Sequence, residues 1–211
     1  MTARFITFEG GEGSGKSTQL KLLGEALERE DIPFVLTREP GGSRGAEQVR
    51  SLLVSGDPNA WDPVAETLLF TAARVDHVRR TIQPALEDGV HVLCDRFFDS
   101  TLVYQGIGKN LGEDYVSSLH RLALGSFGPD LTLIFDIDPK VGLERAFSRR
   151  GPEARFEAMP LDFHHAVRAG FQSLASRDPQ RCVVIDASER IEDVHAAVLR
   201  CLNTRLGWKF A

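Results

Sequence analysis

An α/β fold with a parallel sheet of five strands is predicted from two features of the sequence: short apolar runs, and helical patterns between them. The apolar runs are 4–8, 33–37, 90–94, 131–137 and 181–187. They are continuously apolar rather than alternating, which is typical of strands that are covered on both faces. Strands that alternate with helices form parallel sheets through right-handed crossovers. We therefore predict a sheet with helices packed on its two faces.

The segments between the runs carry helical signals. An apolar stripe follows the first run, and 62–89 opens with an Asp-Pro start signal and ends at a glycine. Further helices are predicted at 113–124, 139–150 and 191–206. The polar stretch 148–160 interrupts a helical region and is predicted to be a loop that serves as a lid. We expect residues 1–211 to form one domain with this lid.

Composition argues against some classes of function. The net charge of -5 argues against a nucleic-acid-binding surface. No apolar run has the length of a membrane span and the first residues lack the layout of a signal peptide, so we expect a cytoplasmic protein. The three cysteines stand at unrelated spacings and are expected to be reduced thiols. His164 and His165 are expected to be solvated surface residues.

The stretch "FEGGEGSGKSTQ", Phe8 to Gln19, fits the phosphate-binding P-loop pattern G-x4-G-K-S in full. Glycines let backbone N–H groups converge on phosphate oxygens, and the helix that follows directs its N-terminus at the anion. Lys16 would reach the β- and γ-phosphates, and Ser17 would ligate Mg²⁺. The predicted triphosphate-binding residues are Gly10, Gly11, Glu12, Gly13, Ser14, Gly15, Lys16, Ser17 and Thr18.

A second set of cations separates the possible P-loop classes. The D-x-x-G and N-K-x-D patterns of GTPases occur nowhere in the chain, which weakens a switch interpretation. Phosphoryl transfer between two anions needs cations at both ends, and arginine binds phosphate with two parallel hydrogen bonds. Arginines at informative places are Arg38 in "TREPGG", Arg74 in "LLFTAARVDH", Arg96 in "CDRFFDSTLVYQG", and Arg149, Arg150 and Arg155 in the lid.

Two pairs of residues are candidates for the second half of a site. Asp95 and Arg96 follow the third apolar run, so they should lie beside the P-loop at the carboxyl edge of the sheet. Asp95 would help to hold Mg²⁺, with Asp136 as its weaker rival, together with Asp138, and Arg96 would bind an acceptor phosphate. Phe70 and Arg74 are four residues apart on a predicted helix, so they share a face that suits a nucleobase.

Four motifs together resemble a known family. "FEGGEGSGKST", "TREPGG", "LLFTAAR" and "DRFFDSTLVYQG" occur in this order through about Gly106. They resemble the bacterial thymidylate kinases, which convert dTMP and ATP to dTDP and ADP in dTTP biosynthesis. The resemblance implies a P-loop NTPase three-layer sandwich with a short lid. It also implies ATP and Mg²⁺ as cofactors, small-molecule substrates, no nucleic acid or membrane as partner, and a homodimer.

The resemblance also implies roles for single residues. Phe70 would stack on thymine, Arg74 would contact the base edge and the phosphate region, and Arg96 would bind the dTMP phosphate. Tyr104 would exclude a 2′-hydroxyl, and Glu12 would face the acceptor sugar and phosphate. The implied dTMP-binding set is Glu12, Arg38, Phe70, Arg74, Arg96, Thr101, Tyr104 and Gln105. The implied catalytic set is Lys16, Asp95, Arg96, Arg149, Arg150 and Arg155, with Ser17 and Asp95 at the metal.

The sequence departs from the family pattern at three positions. Phe97 stands where the family has a tyrosine, Ala154 where an acid often precedes the lid arginine, and Phe171 where a tyrosine is frequent. Two other functions remain open on the sequence. One is a P-loop kinase for a different small acceptor, such as a deoxynucleoside or another monophosphate. The other is a nucleotide-dependent switch or assembly ATPase that acts through a partner.

Overall fold

The structure, a computed structural model, describes residues 2–57, 60–148 and 155–210. Its centre is a parallel sheet of five strands in the order β2-β3-β1-β4-β5. The strands are β1 (Phe5–Gly10), β2 (Phe34–Arg38), β3 (His91–Asp95), β4 (Leu131–Asp136) and β5 (Cys182–Asp186). Each strand lies within two residues of its predicted run, so the α/β prediction is confirmed.

Helices flank this sheet. The described α-helices are α1 (Lys16–Arg29), α2 (Arg44–Leu53), α3 (Pro63–His77), α4 (Gln83–Glu87), α5 (Phe98–Thr101), α6 (Glu113–Leu124), α7 (Pro139–Phe147), α8 (Leu161–Arg177) and α9 (Ile191–Leu206). A π-helical turn, Val78–Ile82, joins α3 to α4, so the predicted helix 62–89 is nearly continuous. A second π-helical turn, Leu102–Gly108, continues α5. The sequence patterns did not predict α2 or the helical segment 98–108.

The alternation of side chains along β4 shows that both faces of the sheet are covered. Leu133 and Phe135 are buried in one core cluster, which includes Leu23 and Leu27 of α1. Ile134, between them, is buried in a second cluster with residues of α8. Successive strand residues point to opposite faces. A strand buried on both sides must therefore be continuously apolar, as the sequence is.

The strand order determines where a site can form. β1 pairs with β3 so that Phe8 lies opposite Asp95, and β2 pairs with β3 so that Arg38 lies opposite Asp95. The segments that follow these three strands therefore emerge side by side at one edge. Ligands of open α/β sheets bind at this carboxyl edge. Within the described ranges, none of the helices combines the length and apolarity that a membrane span requires.

Candidate active site

The P-loop connects β1 directly to α1. Gly15 is the N-cap residue of α1 and has a φ of 85°, which a side chain would disfavour. A Cβ on Gly13, whose φ is 65°, would overlap the backbone carbonyl of Gly142 in α7. The loop is therefore packed against a second helix as well as its own. This packing leaves the N-terminus of α1 open toward an anion.

Lys16 is buried within the loop. Its Nζ donates hydrogen bonds to the carbonyl of Gly11 at 2.6 Å and to Oγ of Ser14 at 3.1 Å. Burial, reinforced by the charge of Arg96, lowers the pKa of Lys16 to about 8. The ammonium is thus available at neutral pH and is held by groups that a triphosphate would replace.

Ser17 and Asp95 meet at the start of α1. The Ser17 hydroxyl donates to the Asp95 carboxylate at 2.5 Å. A hydroxyl and a carboxylate beside a phosphate-binding loop suit Mg²⁺, which is usually held by one or two protein groups, phosphate oxygens and water. The donor set therefore fits the metal that the sequence predicts.

Arg96 lies where the P-loop meets the end of β3. Its φ of 69° is unusual for a residue with a side chain. Nη1 donates to the carbonyl of Gly10 at 2.8 Å and to Oγ of Ser100 at 3.1 Å, and Nη2 donates to Glu12 at 3.0 Å. The guanidinium also lies 5.1 Å from the ring centre of Tyr104. Three oxygen atoms and a ring thus fix the direction of this cation.

Glu12 is held as a carboxylate by its neighbours. It accepts from Arg96 and, at 2.8 Å, from the Tyr104 hydroxyl. Burial acts to raise the pKa of Glu12, but the charges of Arg96 and Lys16 outweigh it and lower the pKa to about 2. Glu12 is therefore ionised throughout the physiological range.

Sequence reasoning missed Glu9, which supports Arg96 from inside the protein. Its buried carboxyl group accepts from the backbone N–H of Phe97 at 2.7 Å and contacts the Ser100 hydroxyl at 2.5 Å. Burial raises the pKa of Glu9 to about 8. The signal was available, because Glu9 is an acid in an otherwise apolar strand, immediately before the P-loop.

A cavity of about 240 Å³ opens beside Arg96. Seven of the eight residues predicted to bind the acceptor nucleotide line it: Glu12, Phe70, Arg74, Arg96, Thr101, Tyr104 and Gln105. Phe70 and Arg74 project from α3, and the other wall comes from α5 and the π-helical turn. Wide turns of this kind are frequent at functional sites. The cavity thus combines arginine side chains with the aromatic ring of Phe70.

Arg74 is fixed by Glu39, a residue that sequence reasoning passed over. Arg74 Nε donates to the Glu39 carboxylate at 2.7 Å, and Nη2 donates to Thr101 Oγ1 at 2.8 Å. The other carboxylate oxygen of Glu39 contacts His77 at 3.0 Å. Glu39 belongs to "TREPGG" and follows β2 at the same edge as Asp95, which was its sequence signal.

Arg38 is the one predicted acceptor residue that does not line the cavity. Its guanidinium donates to Glu47 at 3.2 Å, and the side chain is 54% exposed. Neighbouring residues of a strand end face opposite ways, so Glu39 turns inward and Arg38 outward. The cavity instead receives Arg50 from α2, whose Nη1 donates to the Pro40 carbonyl at 2.6 Å. Because the sequence patterns did not predict α2, they did not point to Arg50 either.

The structure brings the lid residue Arg155 to a buried carboxylate. Arg155 is 2% exposed, pairs with Glu66 at 2.5 Å, and donates to the carbonyls of Leu53 and Asp57. It was predicted as one of three candidates for the transition state. In this arrangement it joins the lid to α2 and α3. The other two candidates, Arg149 and Arg150, lie outside the described residues.

Asp136, the weaker rival of Asp95 in the sequence, is paired with an arginine. Its carboxylate accepts two hydrogen bonds from Arg168 of α8, at 2.7 and 2.8 Å. Asp138 caps α7 through the backbone N–H of Lys140.

His164 was expected at the surface, but it is buried, with only 4% of the residue exposed. Burial lowers the pKa of His164, so its imidazole is neutral at physiological pH.

A second cavity, of about 570 Å³, begins at residues of the P-loop that were predicted to bind a triphosphate, but its outer wall was not predicted. Gly13 and Thr18 line it on the loop side, and Arg145 and Ile191 line it further out. Arg145 Nη1 donates to the carbonyl of Ala187, just after β5. This cavity opens at the same edge of the sheet as the first one.

Comparisons with known proteins identify one family. The sequence profile of the thymidylate kinase family matches residues 8–198. A thymidylate kinase of Bradyrhizobium sp. (strain ORS 278) is 51% identical over 205 residues, which are 96% of this chain and 91% of that protein. One from Caulobacter vibrioides is 50% identical over 203 residues, or 96% of this chain and 97% of that protein.

A solved structure extends the likeness to the whole fold. The crystal structure of thymidylate kinase from Ehrlichia chaffeensis matches with a TM-score of 0.77 and 36% identity, over 96% of this chain and 99% of that one. The resemblance carried by the four motifs is thereby confirmed. The chain belongs to the thymidylate kinase family of P-loop enzymes, which transfer a phosphoryl group to dTMP.

Proposed function

We propose that the two cavities hold the two nucleotides of the reaction, dTMP in the smaller and ATP in the larger, with their phosphates meeting over the P-loop. The observation that carries this proposal is the division of the loop between them. Glu12 lines the first cavity, and the next residue, Gly13, lines the second. Two ligands that fill these cavities approach each other where Lys16 and Arg96 supply positive charge.

The phosphate end of the site neutralises charge and has no need of a general base. A monophosphate has a second pKa of about 6, so the attacking oxygen of dTMP is already ionised at neutral pH. Two unit charges ~4 Å apart repel by roughly 4 kcal/mol at an effective dielectric constant of 20. Arg96 binds the acceptor phosphate and Lys16 the β- and γ-phosphates, and together they offset this repulsion.

The metal belongs between the loop and β3. Ser17 and Asp95 are the residues that would hold Mg²⁺. When bound, the ion supplies positive charge to the β- and γ-phosphate oxygens. The two protein groups fix where the triphosphate lies relative to Arg96.

The far end of the smaller cavity reads the nucleoside. Phe70 stacks on the base, while Arg74, Thr101 and Gln105 offer polar groups to its edge. Tyr104 contacts Glu12 and the plane of Arg96, so its ring closes the wall beside the sugar. A 2′-hydroxyl has no room there, which favours a deoxynucleotide.

The lid completes the site. The P-loop supplies a lysine but no arginine, so an arginine at the transition state must come from elsewhere. The segment 148–160 contains three. We assign the transition-state contact to Arg149 or Arg150 and an anchoring role to Arg155, because Arg155 is paired with Glu66.

The working form is a cytoplasmic homodimer. The adjacent helices α3 and α6 expose Leu68, Tyr115 and Leu122, the last at 86%. Large exposed apolar side chains on neighbouring helices favour a subunit interface. All three cysteines are free thiols, as in proteins of a reducing compartment. Light scattering coupled to size exclusion tests the dimer, and a monomer mass would refute it.

A panel of acceptors tests the proposed pairing of ligands. ADP release from ATP is measured with dTMP, dCMP, dGMP, ribothymidine monophosphate and thymidine. We expect kcat/KM to be highest with dTMP and to fall by at least about 100-fold with the ribonucleotide, since Tyr104 closes the wall. Highest activity with thymidine would identify a nucleoside acceptor, and acceptor-independent hydrolysis coupled to a partner would identify a switch.

A further inference from the structure

Two hydrogen-bonded links join α3 to the segment 98–108, and Arg74, Thr101 and Gln105 of these links line the smaller cavity. Glu66, Phe70 and Arg74 are each four residues apart on α3, so they form one stripe. Arg74 donates to Thr101 at 2.8 Å, and Glu66 accepts from Gln105 Nε2 at 2.8 Å. Phe70 lies on the stripe between the two links. A base stacked on Phe70 therefore has Arg74 toward one side and Gln105 toward the other.

Glu66 is a buried carboxylate that faces two cations. It is 0% exposed. One oxygen accepts from Lys109 Nζ at 2.9 Å and pairs with Arg155 at 2.5 Å, while the other accepts from Gln105. A carboxylate between two cations only accepts hydrogen bonds. The atom of Gln105 that donates to Glu66 must therefore be the amide nitrogen.

This contact fixes which way the Gln105 amide points. The nitrogen and oxygen of a glutamine amide exchange places by a half-turn, and their hydrogen bonds decide the orientation. With the nitrogen held by Glu66, the oxygen is the atom that Gln105 offers to the cavity it lines. Arg74, on the other side of Phe70, can only donate. The wall therefore presents one donor and one acceptor in a set order.

We infer that Glu66 is a positioning residue for base selection, because it locks Gln105 with its acceptor toward the base. This inference deepens the proposed function and rests on it. Thymine and uracil carry a carbonyl oxygen beside an N–H on this edge, which matches a donor and an acceptor. Cytosine carries an amino group beside an unprotonated ring nitrogen, so both contacts are reversed. An unmatched buried hydrogen-bonding group is what makes such a site selective.

The variant Glu66→Gln tests the inference, because an amide at position 66 accepts or donates and leaves Gln105 free to turn. We measure kcat/KM for dTMP, dUMP and dCMP at saturating ATP. The ratio of dTMP to dCMP should fall at least about tenfold, one hydrogen bond's worth of discrimination. The ratio of dTMP to dUMP should stay within about twofold, since both bases share the same edge. Equal losses with all three acceptors would overturn the inference.

A matched control separates amide orientation from loss of an ion pair. Lys109→Met removes one cation from Glu66 but leaves its contact with Gln105, so the dTMP to dCMP ratio should match the wild type. A tenfold fall in this control would also contradict the inference. If Glu66→Gln does not fold, Gln105→Met decides the question: it removes the acceptor, and an unchanged ratio would overturn the inference. Failure of the wild type to phosphorylate dTMP would instead refute the proposed function.

Discussion

At the scale of single residues, the site is built from charges whose burial would be unfavourable without their partners. Arg96 is the central case, since Gly10, Glu12 and Ser100 all accept hydrogen bonds from it. Glu9 holds the backbone on the far side of Arg96 through Phe97. The guanidinium therefore stays in one direction before any ligand arrives. This preorganisation is the form of electrostatic catalysis that phosphoryl transfer uses.

Arg96→Ala should lower kcat/KM for dTMP by on the order of 10³, because it removes the cation that binds the acceptor phosphate. KM for ATP should change only a few-fold. Arg96→Lys keeps the charge but not the paired hydrogen bonds, so its activity should lie between that of Arg96→Ala and that of the wild type. Steady-state kinetics with each substrate varied in turn provide the measurement.

Arg38→Ala is the matched control for Arg96, since Arg38 ends β2 and Arg96 follows β3 at the same edge of the sheet. Arg38 is half exposed and pairs with Glu47 on the surface. We expect kcat/KM for dTMP to stay within about twofold of the wild type, as exposed ion pairs contribute little. A large loss in Arg38→Ala, or none in Arg96→Ala, would reverse the assignment.

The protonation of Lys16 predicts a pH dependence. Its pKa is lowered to about 8, so the side chain is charged below this value and neutral above it. At saturating dTMP, kcat/KM for ATP should therefore fall roughly tenfold between pH 7 and pH 9. Circular dichroism at pH 9 controls for unfolding. A flat profile across this range would show that Lys16 keeps its proton or does not contact ATP.

At the scale of elements, the P-loop depends on its contact with α7. A Cβ on Gly142 would overlap the carbonyl of Glu12, and one on Gly13 would overlap the carbonyl of Gly142. The two glycines thus let a loop and a helix touch through their backbones. The spacing of the P-loop motif does not predict this contact with α7.

Gly142→Ala should destabilise the protein by about 1–3 kcal/mol and raise KM for ATP, because the loop must move away from α7. Urea unfolding and ATP kinetics measure the two effects. Gly128→Ala is the control, since a Cβ at Gly128 meets nothing within 4 Å. Equal behaviour of the two variants would mean that the P-loop tolerates displacement.

The lid arginines should separate into two kinds. Arg155→Met removes a partner from buried Glu66, so the free energy of unfolding should fall by about 3 kcal/mol. Either Arg149→Ala or Arg150→Ala should lower kcat by on the order of 10³. Thermal unfolding and single-turnover kinetics measure these effects. Wild-type rates in both alanine variants would show that the lid does not act at the transition state.

At the scale of the whole molecule, the sequence predicted the sheet well because burial on both faces leaves a strong pattern. Helix α2 left a weak one, since of its residues only Ala46 and Leu53 are buried. Its signal was the cap, where Ser43 accepts from the backbone N–H of Ala46. Because α2 was not predicted, Arg50 was not considered as a residue of the smaller cavity.

The partners of buried charges were beyond sequence reasoning for a different reason. Glu66 and Arg155 are far apart in the chain, and neither stands in a motif whose chemistry names the other. Position in a motif suggested that Arg155 acts on phosphate, whereas tertiary packing pairs it with a carboxylate. Motifs predict which residues gather at the sheet edge. They do not predict which of these residues neutralise one another.

The most direct test of two nucleotides meeting over the P-loop is a crystal structure with adenosine and thymidine joined by a chain of phosphates. We expect thymine on Phe70 between Arg74 and Gln105, phosphates spanning Arg96 and Lys16, and adenosine in the cavity beside Arg145 and Ile191. Thymidine bound outside the cavity beside Arg96, or phosphates that avoid the loop, would contradict the account.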